Sequence, residues 1–161
     1  MCSYCGCRDI SLIGRFMTEH EEIVNVAGVL HRAVEGSDPH SVAGALEHTL
    51  AHLHPHTTAE EQGLFVVLRR NPDFTDHIDG LCAEHARLDD LAERIRGGDT
   101  SLVNTFYAEL RDHINKEDNG LFPAAAIEMD GPDWVEAIEL TPAEGPHTHA
   151  TPHDHTHDHT H

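Results

Sequence analysis

A ten-residue pattern occurs twice in the chain, 57 residues apart, and limits the folds open to it more than any other part of the sequence. Residues 56–65 read HTTAEEQGLF and residues 113–122 read HINKEDNGLF, so His, Glu, Gly, Leu and Phe recur at the same positions. A Glu-His pair precedes each copy, at residues 19–20 before the first and at residues 84–85 before the second. The chain is therefore predicted to contain one pair of helices written twice.

Apolar residues recur at helical spacing along most of the chain. Clusters of Gly, Pro, Asn and Asp divide this pattern into segments, and no stretch shows the alternation of a strand. Pro55 falls within the second segment, where a kink is expected. The predicted fold class is all-α, an up-down-up-down four-helix bundle with a short C-terminal helix. The predicted helices span about residues 12–35, 38–70, 74–96, 99–123 and 132–139.

Composition predicts three parts: a cysteine-rich segment at residues 1–10, the bundle at residues 11–140, and a tail at residues 141–161. The tail contains seven histidines among Thr, Asp, Pro and Gly. It has almost no apolar side chain to bury, so it is predicted to be disordered. Histidine tracts bind divalent metals, which indicates a metal-scavenging tail, and an appended purification tag is the alternative interpretation.

The charge of the chain is strongly negative, with 29 acidic and 10 basic side chains and a net charge of −19. Nucleic acids and anionic membrane surfaces are polyanions, so neither is an expected partner. No apolar run approaches the ~20 residues of a membrane span, and the first residues lack the basic and apolar regions of a signal peptide. A cytoplasmic protein with reduced cysteines is therefore expected.

A histidine and a glutamate four residues apart lie on one face of a helix, one turn from each other. Two such helices, with one further histidine from each remaining helix, would present four imidazoles and two carboxylates to the bundle interior. If both carboxylates bridge, this set suits two metal ions with space for water, oxide or a small gas. Imidazole with carboxylate favours iron, manganese or zinc, and copper also binds such ligands well.

A simpler interpretation makes each of these histidines a hydrogen-bonded core residue. A single HxxxE pattern is compatible with that interpretation, because His and Glu are common on helix surfaces. Two copies in register, each with a matching upstream histidine, favour the metal site instead. Six buried polar groups without partners would each cost several kcal/mol, and bound cations would remove that cost.

The chain resembles the haemerythrin-like family, also called the HHE cation-binding domain, over about residues 12–126. The resemblance rests on the two Glu-His pairs and on the patterns HxxxEExxLF and HxxxEDxxLFP. It implies a four-helix bundle with a non-haem di-iron centre, in which two iron ions form a Fe–O–Fe type unit. Both glutamates would act as bridges. The ligands implied by position are His20, His56, Glu60, His85, His113 and Glu117.

The chain departs from the oxygen carriers of that family at Leu81, where they have a fifth histidine one turn before its partner. The loss argues against reversible storage of dioxygen and leaves an open coordination position or a substitute ligand. Cys82 is one candidate substitute, and a small apolar core residue is the alternative interpretation. Three acidic residues could also approach the centre but are expected on the solvated face: Glu61, Glu84 and Asp89.

The N-terminal CxxCxC pattern offers three thiols within six residues, at Cys2, Cys5 and Cys7. Thiols at this spacing could bind zinc or copper(I), form a redox pair, or fold back to ligate the di-iron centre. The alternative is a frayed chain end without a function.

Three functions follow from these patterns. The first is a di-iron protein that reacts with or senses dioxygen, nitric oxide or peroxide, in the setting of oxidative or nitrosative stress. If it is an enzyme, it is a di-iron oxidoreductase. The second is buffering, sensing or delivery of iron or zinc without catalysis, with the tail and the CxxCxC segment collecting further divalent ions. The third is a structural domain that holds zinc.

Overall fold

The computed structural model describes residues 10–143. Within that range the structure is helical and contains no strand, which confirms the predicted all-α bundle with its short C-terminal helix. No helix in the same range is long and apolar enough to cross a lipid bilayer. The predictions for Cys2, Cys5, Cys7 and for the seven histidines of the tail lie outside the described residues. The elements are α1 (Ser11–Glu35), α2 (Pro39–Gln62), α3 (Leu64–Arg69), α4 (Pro72–Arg96), a 3-10 turn (Thr100–Leu102), α5 (Val103–Lys116), a π turn (Glu117–Leu121), α6 (Phe122–Glu128) and α7 (Gly131–Leu140).

Side-chain caps explain why three of the helices begin where they do. The side chains of Asp38 and Asn71 each accept a hydrogen bond from the backbone N–H two residues further on, at 3.0 Å. Asp130 forms a capping box with the residue three positions later. A proline in the first turn follows each cap, where its missing N–H breaks no helical hydrogen bond.

The second predicted helix is shorter than expected because the chain breaks at Gly63. The sequence pattern predicted one helix to residue 70, whereas α2 ends at Gln62 and α3 begins at Leu64. A Cβ atom at Gly63 would lie 1.9 Å from Oγ1 of Thr141, immediately after α7. The close approach of α7 therefore requires a glycine here. Pro55 lies inside α2, which continues through it.

The fourth predicted helix is also interrupted, at the matching place in the second repeat. The α5 helix ends at Lys116, a π turn spans Glu117–Leu121, and α6 continues the chain from Phe122. A π turn inserts one extra residue into a helix and is often found at functional sites. Both repeats therefore change their helical geometry at the glutamate of HxxxE or within three residues after it.

The four long helices pack in a ring, with α1 against α2 and α5, and with α4 against the same two helices. Two apolar clusters fill the interior at different levels. On α1, His20 lies between the two clusters, since Phe16 belongs to one and Ile23 to the other. On α4 they meet around His85, between Leu81 and Leu88. The polar residues of the repeats thus occupy a layer with apolar packing above and below.

Candidate metal centre

The six residues that the sequence predicts as ligands lie together in the bundle interior. None of them is more than 5 % exposed, and both glutamates are completely buried. All four long segments of the bundle contribute. Each HxxxE pattern turns its histidine and glutamate toward one interior layer, and the histidine of each Glu-His pair lies in the same layer. In chain order they are His20 on α1, His56 and Glu60 on α2, His85 on α4, His113 on α5, and Glu117 at the start of the π turn.

The ligand atoms of these residues form two groups that share both glutamates. Site 1 consists of His20, His56, Glu60 and Glu117. Site 2 consists of Glu60, His85, His113 and Glu117. In each group the four atoms, one from each residue, lie within 4.8 Å of one another. One cation at either site could therefore contact four protein atoms, and the two glutamates could contact both cations.

Several polar atoms in this layer are buried without a hydrogen-bond partner. They are Nε2 of His56, both side-chain oxygens of Glu60, and Oε2 of Glu117. Nε2 of His56 approaches Oε1 of Glu60 to 2.9 Å, yet the contact lacks hydrogen-bond alignment. Leaving such an atom unpaired costs about 1–3 kcal/mol, and a cation coordinated by these atoms would satisfy them together. The residues present therefore fit a bound metal ion.

Each of the four histidines donates a hydrogen bond from Nδ1 to a carboxylate outside the two groups. In a neutral ring this bond places the proton on Nδ1 and makes Nε2 the atom that can bind a cation. Such carboxylates also make the imidazole a better ligand and hold its ring in one orientation. The pairs are His20 with Asp118 at 2.7 Å, His56 with Glu19 at 2.7 Å, His85 with Glu61 at 3.1 Å, and His113 with Glu84 at 3.2 Å.

These supporting carboxylates follow the internal repeat. Glu19 and Glu84 are the acidic residues of the two Glu-His pairs, and each holds the histidine of the HxxxE pattern in its own half. Glu61 and Asp118 follow the glutamate of each HxxxE, and each holds a histidine of the other half. Every acidic residue of the two motifs therefore contacts the centre, directly or through a histidine.

Glu61 lies on the solvated face, as expected, and Glu84 is partly exposed, but both also support the centre. Glu61 is 43 % exposed and Glu84 29 % exposed, yet each accepts a hydrogen bond from a buried histidine. The signal was the recurrence of acidic residues at both positions in the two repeats. Asp89 is exposed, as expected, and pairs with His54 on the surface.

A family model for the Hemerythrin HHE cation binding domain matches residues 11–125. The chain belongs to this family. The match covers α1 to α5, the π turn and the first part of α6, and so it includes both HxxxE patterns and both Glu-His pairs. Searches of the curated proteins and of the solved structures found no match.

The repeated phenylalanines of this HHE domain pack against its histidines. The ring of Phe65 stacks on His85 with centroids 5.9 Å apart, and the ring of Phe122 stacks on His20 with centroids 5.8 Å apart. Phe16 adds an edge-on contact to His56 at 5.4 Å. These rings fix the imidazole planes and keep water from the faces of the histidines.

The two shared glutamates have opposite pKa shifts in the metal-free domain. Burial, together with the neighbouring charge of Glu117, raises the pKa of Glu60 well above its usual value. Burial also opposes ionisation of Glu117, but Glu60, His113 and His20 outweigh it and hold the pKa of Glu117 well below its usual value. The two carboxylates therefore resist being charged together, and a bound cation would relieve that repulsion.

The two histidines of site 1 also differ in pKa. Burial opposes the charged form of His20, but its hydrogen bonds to Asp118 and Glu117 prevail and raise the pKa to about 9. Burial dominates at His56 and lowers the pKa to about 4. At neutral pH the metal-free centre thus holds a proton on His20 and none on His56.

Cys82 belongs to neither of the two ligand groups. Its thiol sulfur accepts a hydrogen bond from Nη2 of Arg69 at 3.5 Å, and its side chain packs against an apolar cluster. Burial raises the pKa of the thiol, which disfavours the thiolate that a metal would need. Leu81, at the position of the fifth histidine, is 1 % exposed and belongs to the same apolar cluster.

Proposed function

We propose that this HHE domain is a non-haem di-iron protein that reacts with or senses dioxygen, nitric oxide or peroxide. The observation that carries the proposal is that Glu60 and Glu117 belong to both ligand groups. Two carboxylates shared by two sites suit a pair of ions in a helix bundle. In this proposal residues 11–140 form the iron-binding bundle, while residues 1–10 and 141–161 are accessory segments.

Iron fits the chemistry of the donor atoms. Each site offers two imidazole nitrogens and carboxylate oxygens, without a thiolate, and this combination suits iron or manganese better than softer ions. Bound iron would supply Lewis acidity and electrons. The protein would hold it with the six residues His20, His56, Glu60, His85, His113 and Glu117.

The chain itself provides the conditions for a small molecule to reach the ions. Two histidines serve each site, and at site 2 Leu81 stands where oxygen-carrying relatives have a further histidine, which leaves a coordination position free. The apolar clusters above and below exclude bulk water. A depression of about 380 Å³ between α1 and the second repeat is lined by His20 and Asp118. Asp118 is 24 % exposed, so a proton on Nδ1 of His20 can pass through it to solvent.

The test uses the full chain and a variant of equal length in which the seven tail histidines are replaced by asparagine. Both are loaded with ferrous iron without oxygen, and iron per chain is counted by elemental analysis. Absorption spectra are then compared before and after air, nitric oxide or peroxide. We expect two iron ions in both proteins and new charge-transfer absorption with at least one of the three reagents.

Two results would contradict the proposal. Iron that disappears with the tail histidines would support metal buffering or delivery instead, for which the seven histidines of the tail are the favouring observation. Bound metal whose spectrum does not respond to any of the three reagents would favour the structural or buffering functions.

A further inference from the structure

We infer that the two ions are not equivalent: the ion at site 2, held by His85 and His113, exchanges readily, whereas the ion at site 1, held by His20 and His56, is retained. This rests on the proposed function, because it concerns the same two ligand groups. It goes further by assigning a separate role to each ion from differences between the two halves of the chain.

The first difference is in the hydrogen bonds that support the histidines. Both supporting bonds at site 1 are 2.7 Å long, from His20 to Asp118 and from His56 to Glu19. The two bonds at site 2 are 3.1 and 3.2 Å long. Short hydrogen bonds to charged carboxylates are the stronger ones, and they increase the basicity of the imidazole. The histidines of site 1 are therefore the better ligands.

The second difference is in the exposure of the supporting carboxylates. At site 1, Glu19 and Asp118 are 20 % and 24 % exposed. At site 2, Glu84 and Glu61 are 29 % and 43 % exposed. Water competes with the histidine for the more exposed carboxylates, so the rings of site 2 are held less firmly.

The third difference is in the basic side chains that contact Glu19 and Glu84, the carboxylates that support a histidine of their own half of the chain. Arg15 contacts Glu19 at 3.0 Å, is only 17 % exposed, and also donates to the backbone oxygen of Pro142 at 2.8 Å. Lys116 plays the corresponding part for Glu84 at 3.1 Å, but it is 46 % exposed and also contacts Asp112. The arginine thus contacts both a carboxylate and a backbone oxygen away from water, whereas the lysine is shared by two carboxylates close to water.

The fourth difference is in the distances from the histidine nitrogens to the oxygens of the shared glutamates. At site 1, Nε2 of His56 and of His20 lie 2.9 and 3.1 Å from the nearest carboxylate oxygen. At site 2, the corresponding distances from His113 and His85 are 3.3 and 3.7 Å. The histidine nitrogens of site 1 thus lie closer to the shared carboxylates than those of site 2 do.

All four differences point in the same direction, although the two sites derive from matching repeats. The depression beside His20 does not reverse them, because that ring is only 2 % exposed and Asp118 holds its Nδ1 atom. Loss of one supporting partner typically changes metal affinity by about 10–100-fold, so we expect site 1 to bind at least about tenfold more tightly than site 2 when both are measured at pH 9. At limiting metal the protein would hold one ion, at site 1.

The experiment measures cobalt(II) binding to the full chain with the seven tail histidines replaced by asparagine. Cobalt absorption is followed during titration against a competing chelator, and then during removal by excess chelator. We expect two binding classes at least about tenfold apart and a two-phase release. Equal affinity for both ions would overturn the inference and leave the di-metal proposal intact, whereas no binding would overturn both.

Ligand variants assign the classes to the sites. His85→Ala is expected to keep one tightly held ion and to lose the fast phase of release. His20→Ala is expected to keep at most one weakly held ion. The opposite assignment would overturn the inference. Circular dichroism of each variant confirms that the helices are retained before its binding is interpreted.

A milder pair of variants changes one carboxylate at matching positions of the two repeats and keeps the size of each side chain, so packing is preserved. Glu61→Gln and Asp118→Asn remove the charge of the two carboxylates that support a histidine of the other half. Glu61→Gln should accelerate the fast phase several-fold and leave the slow phase unchanged, whereas Asp118→Asn should accelerate the slow phase. Equal effects of both variants on both phases would contradict separate roles for the two ions.

Discussion

Oε1 of Glu117 lies 3.1 Å from Nε2 of His20, so a buried carboxylate of the second half of the chain meets a buried imidazole of the first. The two residues are 97 positions apart in the sequence. Either shared glutamate, if it bound both ions, would connect ligands from all four long segments of the bundle. Metal binding and the free energy of unfolding are therefore expected to depend on each other.

Removal of the metal should lower the stability of the bundle. A ligand that binds only the folded state adds about 2.7 kcal/mol when its free concentration is a hundred times its dissociation constant. Two ions under such conditions should raise the unfolding temperature by many degrees. Urea or thermal unfolding with iron and with excess chelator measures this, and coincident curves for metal-loaded and metal-free protein would count against it.

The shared glutamates should be more important for metal content than any tail histidine. Glu60→Ala or Glu117→Ala removes a carboxylate that belongs to both ligand groups, so each variant is expected to lose at least one ion per chain. His147→Ala is the control and should leave the metal content of the bundle unchanged. Elemental analysis after gel filtration distinguishes these outcomes. Equal loss in all three variants would contradict a centre inside the bundle.

Metal affinity should rise with pH up to about pH 9. Burial opposes the charge on His20, but the hydrogen bonds to Asp118 and Glu117 raise its pKa to about 9, so a cation must displace a proton below that pH. This proton alone makes the affinity fall about tenfold for each pH unit below 9. His56 adds no dependence near neutral pH, because burial lowers its pKa to about 4.

Competition titrations between pH 6 and 9 measure this slope, and calorimetry in buffers of different ionisation heat counts the protons released. Asp118→Asn removes a negative charge that helps to raise the pKa of His20, so its slope should be shallower. In the metal-free protein the raised pKa of His20 stabilises the folded state. This contribution is complete below pH 6.5 and is lost as the pH rises through 9. An affinity that does not change with pH would refute the assignment of this proton.

The contact between Gly63 and α7 can be tested with a matched glycine of the other repeat. Gly63→Ala places a methyl group 1.9 Å from Oγ1 of Thr141, so α7 must move. Overpacking of this kind costs about 1–3 kcal/mol. Gly120→Ala occupies the equivalent position, where a Cβ meets nothing within 4 Å, and should change stability little. Equal free energies of unfolding for the two variants would show that the packing of α7 does not require Gly63.

Much of the helical architecture could be predicted from local sequence, because helix periodicity and caps are local properties. Asp38 begins a helix where expected, and Asn71 begins one two residues before the predicted start, since each side chain bonds a nearby backbone N–H. The two breaks after the HxxxE patterns could not be predicted in this way. Gly63 is required by the close approach of Thr141, and a separation of 78 positions in the chain gives no local signal.

The sequence by itself determined which residues form the polar layer. A spacing of four places His and Glu on one helix face whatever surrounds the helix, and the repeat marks both copies. Only the tertiary structure decided which supporting carboxylate meets which histidine. Asp118 and Glu61 each cross to the other half of the chain, and such pairings depend on how neighbouring helices pack. The inequality of the two sites has the same origin, because matching residues of the repeats lie at different depths below the surface and so compete differently with water.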